Sequence, residues 1–185
     1  MRELIFRRSF WYDQFLKRKK GYRKPSDDIL NRRYNVFHRF AEKYISRAMD
    51  EIQRCSKLRW NDEDIVCYVS YGVRPFSDPL TITLDKQCVQ TFHDLIHELT
   101  HCILTQNGQI IERGCNALER SYSDEHPLTR SHIAVHAIEG RVAERMFGGQ
   151  RLTRLIEDSK CDMAYYRAWE IVQKDGAENI IRALQ

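Results

Sequence analysis

From Ile29 through Leu30, Tyr34, Phe37, Ala41, Ile45 and Ala48 to Ile52, apolar residues recur at three- and four-residue spacing. That is the period of a helix with one buried stripe. Ser26 or Asp27, just before it, can accept from the first free amides, so a long amphipathic helix is expected to start there. Upstream, Leu4, Ile5, Phe6, Phe10, Trp11, Phe15 and Leu16 lie among basic residues over 3–18 and predict a short helix. A basic run from Lys17 to Lys24, ending at Pro25, reads as the loop after it.

The period changes after Trp60-Asn61-Asp62. Ile65-Val66-Cys67-Tyr68-Val69 is a β-rich run, and turn formers punctuate Gly72 to Pro79. Leu80-Thr81-Ile82-Thr83-Leu84 alternates apolar with polar, which predicts a strand with one buried face. Helical spacing returns with Val89, Phe92, Leu95, Ile96, Leu99 and Ile103, and Gly108 is the expected stop. From Gln109 to Pro127 the pattern is weak. Pro127 suits the first turn of another helix, with Ile133, Ala137, Val142 and Met146 as its stripe and Gly148-Gly149 as its end. Further helix is expected over Leu152–Ile156 and Tyr165–Val172, and a last short one after Gly176.

These elements predict an α+β fold: a small twisted sheet that includes 64–70 and 80–84, covered by the helix at 89–103 and by the helix around 131–146, with N-terminal helices added. The expected organisation is a basic helical N-terminal region, 1–60, packed on or flanking a core at 61–185. A hydrophobic share of 42% and a charged share of 30% over 185 residues fit one soluble globular domain and exclude a disordered or membrane class. No apolar run nears the roughly 20 residues that span a bilayer. The segment Met1 to Arg8 is too charged for a secretory signal, so a cytoplasmic location with no membrane partner is expected. Six scattered cysteines, with no C-x-x-C pair, point to reduced thiols and exclude a zinc ribbon. The net charge of +4 hides an asymmetry: residues 1–60 carry 17 Lys/Arg against 7 Asp/Glu, and 61–185 carry 13 against 19. A basic arm of this kind meets either nucleic acid or the chain's own acidic portion.

The chemistry concentrates in His97-Glu98-Leu99-Thr100-His101, an H-E-x-x-H sequence inside a predicted helix. A separation of four residues sets both imidazoles on one face, one turn apart, where two ring nitrogens can meet one zinc. Glu98 beside them can take a proton from a metal-activated water. Leu95, Ile96 and Leu99 bed this helix in a core. A later segment, Ser131 to Glu139, sets His132, His136 and Glu139 on one helical face at relative positions 0, 4 and 7. Two histidines leave a catalytic zinc short of one protein ligand, and each of these three is competent.

A turn, an alternating strand and then the His-Glu-Leu-Thr-His helix resemble the arrangement of zincin metallopeptidases. The local motif is similar to that of gluzincins, and the small size resembles the archaeal minigluzincins. The likeness covers roughly residues 79–145 and is specific in the metal helix. It implies a strand beside the active-site helix that pairs with extended substrate. A metzincin's early third histidine is absent from 102–108, whereas a gluzincin takes a glutamate from a later helix, a place Glu139 can fill.

We expect one zinc per chain on His97, His101 and His136, with Glu139 the alternative third ligand and His132 also able to reach. Glu98 is expected to act as general base and His132 to hold the oxyanion. His126, beside Pro127, is a competing ligand in a loop. Tyr122, Arg130, Tyr166 and Arg167 are further candidate oxyanion donors. The expected function is zinc-dependent hydrolysis of a peptide or protein substrate. Two alternatives stay open: a nucleic-acid-associated metalloprotein resembling the SprT-like proteases, and a non-catalytic zinc-binding protein.

Overall fold

A computed structural model describes residues 3–20 and 25–185. Residues 21–24 of the basic run, and Met1 and Arg2, lie outside the described residues, as do the side chains of Phe10, Leu16, Lys17, Lys19 and Lys20. The fold is mixed α+β and mostly helical. Its backbone divides into two compact units, one formed by 1–49 and 61–102 and the other by 50–60 and 103–185, so the division falls inside two helices.

The first unit holds the sheet. β1 (Leu4–Arg7) is followed by α1 (Phe10–Lys20) and α2 (Asp27–Ser56), then by β2 (Ile65–Ser70), β3 (Phe76–Ser77) and β4 (Leu80–Thr83), and α3 (Cys88–Gln106) begins in it. The strands lie in the order β1-β2-β4-β3. β1, β2 and β4 are parallel, with Phe6 opposite Cys67 and Val69 opposite Ile82, while β3 runs antiparallel to β4. The helix expected over 3–18 is thus corrected: its first apolar triplet, Leu4-Ile5-Phe6, is a strand. Periodicity cannot separate the two states in so short a run, and pairing with β2 decides it.

Two further expectations change at β4. All four of its residues are buried, not one face. The threonines tolerate this because their hydroxyls are satisfied: Thr81 Oγ1 bonds Tyr12 Oη at 2.8 Å and the Pro79 carbonyl at 2.7 Å, and Thr83 Oγ1 donates to Asp85 at 2.8 Å. β4 is also an interior strand, bonded to β2 on one edge and to β3 at Leu80 and Thr81 on the other. It offers no free edge there for an extended substrate.

α2 buries most of the expected stripe, with Leu30, Phe37 and Ala41 almost inaccessible, but leaves its first residue, Ile29, exposed. Phe6 packs edge-on against Phe37 with centroids 5.7 Å apart, and Phe40 does the same against Phe92 of α3 at 5.6 Å. Thr91 of α3 donates to the Thr83 carbonyl at 3.1 Å, which ties the start of that helix to the end of β4.

The second unit is all helix: α4 (Gly108–Ser121), α5 (Pro127–Phe147), α6 (Gly149–Asp158), α7 (Met163–Asp175) and α8 (Ala177–Ala183). α4 occupies the stretch whose pattern was weak, because it shows only Ile111 and Gly114 to the interior. Within this unit Asn107, between α3 and α4, donates to the Arg59 carbonyl at 2.8 Å. α5 begins at Pro127 and ends at Gly148, whose φ of 83° favours a residue without a side chain. α6, α7 and α8 all pack on α5. Its middle is therefore buried nearly all round, from Ile133 to Ala143. Among the described residues, no helix is long and apolar enough to cross a membrane.

Candidate metal centre

His97 and His101 lie on α3, one turn apart, with ring centroids 5.0 Å from each other. Leu95, Ile96 and Leu99 on either side are fully buried, so the helix is held in place where the imidazoles leave it. Glu98, between them, is also buried. Cys102 follows on the same helix and points elsewhere, its thiol donating to the Ser77 carbonyl at 3.7 Å. Burial, seconded by the charges of Glu98 and Asp78, pushes that thiol up to about 12.

On α5, His132, His136 and Glu139 are all buried, as their shared face requires. His132 Nδ1 lies 2.8 Å from the Leu128 carbonyl one turn back and 3.0 Å from Ser131 Oγ. A carbonyl only accepts, so Nδ1 carries the proton and the lone pair sits on Nε2. That tautomer is the one a metal-binding histidine needs. His136 Nδ1 lies 3.0 Å from Glu139 Oε2, a contact that orients its ring. Sequence reasoning missed two aromatics of α7 that complete these surroundings. The Tyr165 ring is 4.2 Å from that of His132, and Trp169 stacks on His136 at 4.3 Å with an interplanar angle of 14°. Their separation of four residues in a helix was visible, but nothing marked which face met α5.

Among the described residues, two groups of side chains have ligand atoms within 4.8 Å of one another and could hold a metal: His97, His101 and His132, and His97, His136 and Glu139. All are buried except His101, which is half-buried. The donor chemistry suits a borderline cation such as zinc, being imidazole nitrogen with at most one carboxylate.

The remaining candidates have other occupations. His126 caps α5, accepting from Leu128 N at 3.2 Å. Tyr122 donates to Asp175 at 2.8 Å, and burial together with that carboxylate pushes its hydroxyl up to about 12. Arg130 pairs with Glu119 at 3.2 Å, and Arg167 with Glu125 and Glu170 at 2.6 and 3.2 Å. Tyr166 meets the Lys160 ammonium over its ring at 5.5 Å. His126 belongs to neither group.

The chain matches no protein-family model, no curated protein and no solved structure.

Proposed function

We propose that this protein is a zinc-dependent peptidase of the zincin type, with His97, His101 and His132 holding the ion. The observation that carries this reading is the gathering of both motif histidines with His132 in one buried group, beside Glu98. We take His132 rather than the expected His136 as the third ligand because the group that contains His136 leaves out His101. Bound there, zinc would supply Lewis acidity toward a peptide carbonyl and an attacking water. Glu98 takes one proton from that water as its oxygen adds to the carbonyl carbon. The C–N bond then breaks, and Glu98 returns the proton to the leaving amine. His136, held by Glu139 and stacked on Trp169, would serve as a donor to the oxyanion when it carries both ring protons.

The test is Glu98→Gln, which keeps the shape of the side chain and removes its capacity to take a proton. We expect an unchanged metal content and a loss of peptide hydrolysis of about a thousand-fold or more. Equal turnover in the variant would move the chemistry elsewhere.

One observation favours a second reading, a protease that acts on nucleic-acid-bound proteins. α2 exposes Arg32, Arg33, Arg39, Lys43 and Arg47 to solvent, in keeping with the charge of the first 60 residues. Steeply salt-dependent binding to DNA would support it.

A further inference from the structure

We propose that the first unit carries a second binding site, for a small amphipathic organic anion, in the cavity between the first turns of α2 and the loop joining β4 to α3. The cavity measures about 480 Å³, within the range of small-molecule sites, and shares no residue with the histidine and glutamate groups. It is independent of the peptidase reading.

Its walls are apolar. Ile29, Val36 and Phe37 lie on one face of α2, and Leu84 meets them from the loop. Phe37 and Leu84 are buried, but Ile29 and Val36 are 49% and 45% exposed and leave aliphatic surface at the mouth. An apolar ligand body would cover that surface.

The polar groups set the sign of the ligand. Arg32, Arg33 and Lys86 line the cavity with Asp85 as the single acid. Asp85 accepts from Thr83 at 2.8 Å, and Lys86 pairs with Asp94 at 2.9 Å. Arg33 is fixed by the Leu84 carbonyl at 2.7 Å and lies over the Tyr71 ring, so it serves as wall. Arg32 has no ion pair among the described residues, and its guanidinium is the group left to meet an anionic head. Apolar lining disfavours a bare inorganic anion, and the charge balance disfavours a cation.

Amide chemical shifts of the intact chain, titrated with 1-naphthylacetate, 1-naphthylmethylammonium and acetate, test this. Saturable shifts confined to residues 29–37 and 84–91 are expected with 1-naphthylacetate, about ten-fold weaker ones or none with the ammonium, and none with acetate. Arg32→Glu, a solvent-facing change, should weaken 1-naphthylacetate at least about ten-fold while leaving the rest of the spectrum in place. Equal binding of the two naphthyl compounds, an unaffected Arg32→Glu variant, shifts centred elsewhere, or no saturable shift up to about 5 mM would each overturn the proposal.

Discussion

Gly114→Ala separates what a helix prefers from what its neighbour allows. In the interior of α4, alanine improves on glycine by about 1 kcal/mol through backbone entropy alone. A Cβ at Gly114, however, would stand 2.5 Å from the Ala183 carbonyl oxygen and 2.5 Å from Leu184 Cα. Both are backbone atoms that cannot rotate away, so the end of α8 must retreat by about 1 Å to reach ordinary contact. That shift loosens Ile180, Ile181 and Leu184, all buried. Overpacking of this kind costs about 1–3 kcal/mol, and rigid backbone neighbours place it at the upper end, so the net loss is about 1–2 kcal/mol. For a chain of this length the melting temperature should fall by roughly 2–8 °C. Gly108→Ala is the control: same helix, exposed, nothing within 4 Å, and an expected change within about 0.5 kcal/mol. Gly140→Ala should lie between them, because the group it meets, at 3.0 Å, is the Trp169 side chain and not backbone. Thermal unfolding followed by circular dichroism ranks the three. A Gly114→Ala protein as stable as Gly108→Ala would refute the packing of α4 against α8.

Glu51 accepts from Arg54 and, at 2.9 Å, from Arg145, and these hydrogen bonds hold its carboxyl below the usual range against the burial that raises it. A depressed folded pKa adds stability above about pH 4.3, lost as pH falls through the folded value. Glu51→Gln should therefore lower the urea midpoint at pH 7 and converge with wild type in acid; a constant difference across that range would contradict it. Cys67, almost fully buried and pushed well above the ordinary thiol range, and Cys102, at about 12, should resist alkylation at pH 8, while exposed Cys161 reacts first. Mass spectrometry of the native protein checks this order, and early labelling of Cys67 would deny its burial.

Much of this was legible in the residues because the informative periods are long. The stripe of α2, the limits of α5 at Pro127 and Gly148 and the strand at 65–69 each rest on several concordant positions. Where a segment is short or shows little to the interior, tertiary pairing decides: Leu4–Arg7 reads as helix but pairs as a strand, and α4 carries too weak a pattern to be assigned. At the candidate site, spacing alone put His132, His136 and Glu139 on one face. It could not rank them, because the rank depends on hydrogen bonds such as that from His132 to the Leu128 carbonyl and on how far each atom lies from His97 and His101. Tyr165 and Trp169 were hidden for the same reason, since their part depends on which face of α7 meets α5.

Zinc content and affinity, measured in single alanine variants, decide whether these side chains form a metal centre. Wild-type protein should bind close to one zinc per chain. His97→Ala, His101→Ala and His132→Ala should each lose orders of magnitude in affinity, whereas His136→Ala and Glu139→Ala should lose about 10- to 100-fold, as supporting partners do. Full zinc occupancy in a protein lacking both His97 and His101 would contradict the metal centre itself, and tight binding in His132→Ala beside loss in His136→Ala would return the third ligand to His136.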